Sequence, residues 1–320
     1  MLLNNNTSIA HSPIKRSSMW IKLWNNIRRD KYILLLMTPV IIYYIIFHYI
    51  PMYGVTIAFK DFSMGKGIIG SEWVGFKYFQ NFFTSMYFTR VLRNTVLLSL
   101  YSILWGFPVP IIFALELNEL KNGYFKRIIQ TVSYLPHFIS VVVVAGMIIN
   151  FLSPTSGVIN LIIKSYGGEP IGFLNEAKWF RTVFVASGVW QTFGWSSIIY
   201  LAAMAGIDPS LYESAVIDGC KRFQQIIYIT IPSILPTIMI LLLLNLGSIM
   251  NIGFEKILLL YSPLTYETSD VISTFVYRRG IIQAEYSFGA AVGVFNATVN
   301  FVLLIFFNKL SKILTEISLW

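Results

Sequence analysis

Six long apolar stretches, at about residues 32–50, 91–117, 128–152, 180–205, 226–252 and 286–307, constrain this chain more than anything else in it. A helix needs about 20 mainly apolar residues to cross a bilayer, and each stretch supplies them. Lipid offers no partner to backbone N–H and C=O groups, so such segments satisfy them internally as helices. The sequence therefore predicts an all-α fold, a polytopic membrane protein with six transmembrane helices. Length alone would allow two soluble domains in 320 residues. A hydrophobic share of 56% against 12% charged residues, with a mean hydropathy of +0.66, excludes that arrangement.

The net charge of +9 is best explained by topology. Lys15, Arg16, Lys22, Arg28, Arg29 and Lys31 face a single acid, Asp30, in residues 1–31, which marks this arm as cytoplasmic. Basic residues do not line one aromatic-bearing helix face, so nucleic acid is not the partner. Trp20, Leu23, Trp24 and Ile27 recur at three and four, which predicts an interfacial helix ahead of the first span. Residues 32–312 form the membrane domain, and residues 313–320 a cytoplasmic tail after Lys309 and Lys312. Pro108 and Pro110 are expected to kink the second span, and Pro136 lies in the third. Gly289 and Gly293, four apart in the sixth, favour close helix packing. The external segments are expected to hold a short helix from Gly157 to Tyr166, an acidic patch of Glu267 and Asp270, and a basic pair, Arg278 and Arg279.

Between the fourth and fifth spans lies a polar island, residues 206–225. Ala215, Gly219 and Phe223 are spaced by four and would share one helix face, on which a protein partner could seat. Gly219 also suits a bend between two short helices, and Glu213 reads as an acid at a helix start, where the dipole favours it. The residues around it resemble a known pattern: Glu-Ala-Ala, three residues, Gly, nine residues, Ile, one residue, Leu-Pro. Glu213, Ala215, Gly219, Ile229 and Pro232 match at those gaps, while Ser214 and Ile231 depart from it conservatively. This is the cytoplasmic signature of ABC importer permeases, and the chain resembles them. The resemblance implies a type I importer permease fold. It also implies a coupling helix seated on a separate ATPase subunit through Glu213, Ser214, Ala215, Asp218, Gly219, Phe223 and Pro232.

Ile50-Pro51-Met52-Tyr53-Gly54, Ala58-Phe59-Lys60, Trp73-Val74-Gly75 and Arg93-Asn94-Thr95 resemble the first third of the polysaccharide-type permeases. That subgroup imports oligosaccharides from degraded polymers. The implied partners are a sibling permease in a heterodimer, two ATP-binding subunits, an external solute-binding protein, an oligosaccharide and the surrounding lipid. The implied location is a bacterial cell membrane with both termini cytoplasmic, and ATP and Mg would sit on the partner ATPase, leaving this chain without a cofactor.

The chain's own chemistry agrees with a non-enzymatic role. It has no Gly-x-x-x-x-Gly-Lys-Ser/Thr phosphate loop. His11, His48 and His137 belong to no nucleophile–base set or metal motif, and the single Cys220 reads as a packing residue. Sugar recognition uses aromatic faces and amides, groups that are costly in lipid unless they face a partner or a cavity. Gln191, Trp195 and Tyr200 in the fourth span, with Asn245 and Asn300, are the candidates for a substrate path, though the same side chains can also join helices. Trp190 is five residues from Trp195, about 140° around a helix, and so is expected against a neighbouring helix or lipid. An ion- or proton-coupled secondary transporter is the alternative, but it needs ionisable groups in the spans, where only Glu116 stands near an inner end.

Overall fold

Four helices among the described residues have the length and apolar composition of a span: α1 (Lys31–Phe59), α3 (Phe88–Glu119), α9 (Arg222–Gly247) and α11 (Tyr286–Ile313, helical to Thr315). The structure is a computed structural model that describes residues 28–315 and Ser318. The interfacial helix expected at Trp20–Ile27 and most of the tail lie outside the described residues. Residues through Val55 form a unit of their own, a helix with no buried residue between Lys31 and Tyr44.

The second unit begins at Thr56. It opens with a two-stranded antiparallel hairpin, β1 (Lys60–Asp61) and β2 (Glu72–Trp73). The short helix α2 (Lys77–Phe83) follows. The Tyr78 phenol donates to Asp61 Oδ1 at 2.6 Å, which holds that carboxyl below its usual range. Burial and the carboxylate push Tyr78 up to about 12. In α3, Pro108 opens a second helical segment straight after Gly106, so the prolines mark a joint within one span.

The third expected span, residues 128–152, is a bent pair. Helix α4 (Tyr124–Phe138) and helix α5 (Val141–Phe151) meet at 99°. Pro136 draws the last turn of α4 into a 3-10 helix, and Ser140 caps α5 with its side chain. The short helix α6 (Val158–Ser165) is bounded by Gly157 and Tyr166.

Helix α7 (Ala177–Ala205) has 29 residues, about 43 Å at 1.5 Å per residue and enough to cross a bilayer. Its Lys178, Arg181, Gln191, Thr192, Ser196 and Ser197 make it more polar than the other spans. The expected six therefore resolve into four apolar helices, five with the bent pair, and the long polar α7. Helix α8 (Pro209–Ile217) follows, and α10 (Phe254–Leu260) comes after α9. In α9 a π-turn at Ile226–Thr230 immediately precedes Pro232, whose ring offers no N–H to the helix.

Packing centres on α7. Gly194 lies so close to the Ser133 carbonyl that any side chain would collide with backbone, which lets α4 press onto α7. One core joins Leu98, Ala145, Phe180, Phe184, Ile257 and Val271 around the outer part of α7. A second joins Ala114, Tyr200, Met204 and Ile234 near its other end. Gly289 meets Gly280 backbone to backbone, whereas nothing approaches Gly293, so only the first of these glycines serves close packing.

The expected acidic patch is also different in kind. Asp270 is fully buried, and its Oδ2 accepts from Arg90 at 2.9 Å and from Arg278 at 2.8 Å. Thr274 donates to the other oxygen at 3.1 Å. Asn94, also fully buried, donates to the backbone carbonyls of Glu267 and Asp270 and accepts from Arg181 at 3.0 Å. A carboxylate shared by two guanidiniums therefore ties the segment between α10 and α11 to α3. Asp270→Ala is expected to destabilise the protein by about 3 kcal/mol, the low end for breaking a buried pair because both arginines keep some solvent contact. The measurement is thermal unfolding in detergent, with Asp270→Asn recovering part of the loss.

Candidate functional site

Two features share α7: a cavity lined by apolar, amide and hydroxyl side chains along its length, and an exposed turn beyond its last residue. The turn starts where Asp208 accepts the Ser210 backbone N–H at 2.9 Å and Pro209 takes the first helical position of α8. That backbone hydrogen bond, reinforced at the side chain, holds the Asp208 carboxyl below its usual range. Glu213 is consequently in the middle of α8, and the dipole role expected of it falls to Asp208.

Helix α8 ends in a left-handed cap. Gly219 has φ +77°, its N–H donates to the Val216 carbonyl at 3.1 Å, and the Cys220 N–H donates to Ala215 at 2.8 Å. The expected single face of Ala215, Gly219 and Phe223 is therefore broken at the glycine, which is the bend the sequence also allowed. Ala215 is buried, while Glu213, Ser214, Asp218 and Gly219 are exposed. Ile217 is 86% and Phe223 72% exposed, large apolar side chains left in the open. Pro232 is exposed behind the π-turn. Arg222 pairs with Glu119 at 3.5 Å, and the Tyr212 hydroxyl meets that of Thr230 at 2.9 Å, which fastens the turn to α3 and α9.

The cavity has two adjoining parts of about 610 and 540 Å³ that share Ser102, Ile103, Gly106, Thr192 and Asn245. Gln191 and Asn245 line the first part; Trp195, Tyr200 and Asn245 line the second. Gln191 Nε2 donates at 3.0 Å to the carbonyl of Ile139, at the break between α4 and α5, so one half of this amide is structural. Trp195 stacks on His137 with centroids 4.6 Å apart, leaving that face of the indole covered. Tyr200 is 3% exposed and is mostly core, edge-on to Phe107. Asn300 is elsewhere: it is buried, its Oδ1 accepts the Met250 N–H at 3.0 Å, and its amide holds α11 to the chain after α9. Trp190 lies in a separate groove with Tyr101, Trp105 and Phe193.

One wall residue escaped the sequence reading. Lys256, in α10, is 7% exposed, lines the first part of the cavity and donates to the Phe184 carbonyl at 3.3 Å. A lysine between Glu255 and the apolar residues 257–260 is the signal for it, in a stretch where the sequence predicts an external loop. Among the described residues no cluster of His, Cys, Asp and Glu could hold a metal.

The chain is similar to known proteins. Residues 106–315 match the family described as "Binding-protein-dependent transport system inner membrane component". Protein LplB of Bacillus subtilis (strain 168) is 42% identical over 301 residues, 94% of this chain and 95% of that protein. The polygalacturonan/rhamnogalacturonan transport system permease protein YteP of the same organism is 42% identical over 298 residues, 93% of this chain and 92% of its own. A chain in the crystal structure of a bacterial ABC transporter involved in the import of the acidic polysaccharide alginate superposes with a TM-score of 0.86 at 45% identity. The match covers 92% of this chain and 99% of that one. A chain of a bacterial alginate ABC transporter, in complex with an alginate pentasaccharide-bound periplasmic protein, gives a TM-score of 0.87 at 44% identity, covering 93% and 100%.

Gln191→Leu removes the donor that satisfies the carbonyl at the bend. The expected cost is about 1–2 kcal/mol, read as a lower melting temperature in detergent. An unchanged melting temperature would show that the Ile139 carbonyl has another donor.

Proposed function

The chain belongs to the family of binding-protein-dependent transport system inner membrane components, and from that premise we propose that it is one permease subunit of an ATP-driven ABC importer for an oligosaccharide released from a degraded polysaccharide. The observation that carries this reading is the position of α7, with a cavity of amides and hydroxyls against its side and the exposed turn of α8 following its last residue. Amides and hydroxyls suit sugar hydroxyls, and the indole of Trp195 suits a sugar's C–H face. Relatives that carry polygalacturonan, rhamnogalacturonan or alginate fragments support the same substrate class.

In this reading α8 is the coupling helix. Ile217 and Phe223 enter a groove on an ATP-binding subunit, and Glu213 and Asp218, which take part in no ion pair among the described residues, meet basic groups there. ATP and Mg belong to that partner, since this chain has no phosphate loop. A sibling permease completes the translocation path, two ATP-binding subunits drive it, and an external solute-binding protein delivers the sugar. The basic arm sets the orientation, with both termini and α8 cytoplasmic. Movement of α8 is passed along α7 to the cavity, which opens alternately to either side. The ion-coupled alternative lacks the relay of carboxylates or histidines in the spans that it requires.

Gly219→Trp is expected to uncouple the complex. A tryptophan at φ +77° strains the cap and stands between α8 and its groove. Substrate-stimulated ATP hydrolysis should fall and the ATPase subunits should co-purify poorly; full retention of both would remove α8 from the interface. Glu213→Ala should lower uptake at equal membrane abundance.

For the cavity, Trp195→Ala should lower oligosaccharide uptake in proteoliposomes by a few-fold to about tenfold, the worth of one aromatic contact, while Trp190→Ala leaves it near normal. The reverse pattern would place the path on the other side of α7. Calorimetry of the cognate binding protein against oligosaccharides of defined composition identifies the cargo.

A further inference from the structure

Lys256 is a cation without a counter-charge in the wall of the cavity. Its residue is 7% exposed. The ammonium lies over the Phe184 ring, 5.3 Å from the centroid, and a methyl group placed on Gly188 would come within 3.7 Å of it. That is ordinary van der Waals contact, so Nζ lies close against α7 at Gly188. Its one hydrogen bond, to the Phe184 carbonyl at 3.3 Å, uses one of three donors. Among the described residues Lys256 takes part in no ion pair. Glu255 lines the same cavity, but it is exposed and is not within pairing distance of the ammonium.

The other buried charge of this region is treated differently. Asp270, fully buried, is paired in place with Arg90 and Arg278. A buried ammonium left unpaired costs several kcal/mol, and a methionine or leucine would fill the same space against Phe184, Ile257 and Val271 without that cost. Packing therefore does not explain a lysine here. A ligand that brings its own negative charge does.

We propose that Lys256 receives a carboxylate of the transported sugar, so that the cargo is an anionic, uronic-acid-containing oligosaccharide. The inference rests on the transport reading above and names its substrate class. Gln191, Asn245, Ser248 and Asn251 line the same cavity and offer amides and hydroxyls to sugar hydroxyls, while Lys256 supplies the charge that distinguishes a uronate from a neutral hexose. Lysine acts as a compact point charge that a carboxylate can approach at several angles, which suits successive sugar units moving past it.

The test uses the complete complex of this chain with its sibling, ATPases and binding protein, reconstituted in proteoliposomes. It is offered oligomers of galacturonate, mannuronate and guluronate beside neutral galacto-, xylo- and malto-oligosaccharides of matched length. Uptake of a uronate oligomer is expected. Lys256→Met and Lys256→Gln should lower it by about tenfold or more, the worth of one charge-assisted hydrogen bond, and Lys256→Arg should keep a larger share. The melting temperature of Lys256→Met should be unchanged or higher, since a buried charge has gone; this separates a binding role from a structural one. Uptake of neutral oligomers alone would overturn the proposal and leave the oligosaccharide reading standing. Equal loss of uronate and neutral uptake in Lys256→Met, or no loss, would overturn it as well. Uptake of no oligosaccharide at all would defeat the transport reading itself, and the proposal with it.

Discussion

The bundle depends on the close approach of α7 to its neighbours. Gly194 admits the backbone of α4 at Ser133. One turn away Gln191 satisfies the carbonyl exposed where α4 breaks into α5. Phe184 contributes to the outer core and holds the Lys256 ammonium through its carbonyl. Beyond Ala205 the chain passes through Asp208 directly into α8. The most polar of the expected spans is thus the one against which the apolar helices assemble. Of its polar groups, Gln191 satisfies broken backbone and Thr192 lines the cavity, two settings in which a membrane interior tolerates them, while Arg181 donates to Asn94 and Lys178 pairs with Glu176.

Charge follows the same rule on the outer side. Asp270 is accommodated without solvent because two arginines and a threonine hydroxyl surround it, and Asn94 fixes the backbone on either side. The Asp270–Arg90 pair holds the chain between α10 and α11 against α3. Lys256 breaks the pattern a short distance along α7, and the contrast gives it significance: one buried charge is compensated by the fold, the other awaits compensation from outside.

Much of this was legible in the sequence. Apolar runs in the sequence coincide with the four helices of span length, and the pattern from Glu213 to Pro232 located the exposed turn. Gly219 as a bend, the short helix at 158–165 and the separation of Trp190 from Gln191 and Trp195 followed from local geometry. What was missed depended on distant partners. The burial of Asp270 is set by Arg90, 180 residues away, and the 99° bend after Pro136 is held by Gly194 and Gln191 from another helix. Asn300 looked like a path residue because nothing nearby in sequence reveals that Met250 occupies its side chain. Two signals were present but overlooked: Asp208-Pro209-Ser210, which starts α8 five residues before Glu213, and Lys256 between Glu255 and the apolar residues 257–260.

The central claim is that α7 and α8 move as one body, so that events at the coupling turn reach the cavity. Paired spin labels at positions 178 and 217, both exposed and near opposite ends of that body, can be placed in a chain whose single cysteine, Cys220, has been replaced by serine. Pulsed electron–electron resonance in the assembled complex, with and without ATP, then gives the distance between them. The account predicts one distance that stays constant between nucleotide states while the label at 217 shifts relative to the sibling subunit. A 178–217 distance that changes when ATP binds would show that α7 bends instead of transmitting, and would contradict the account.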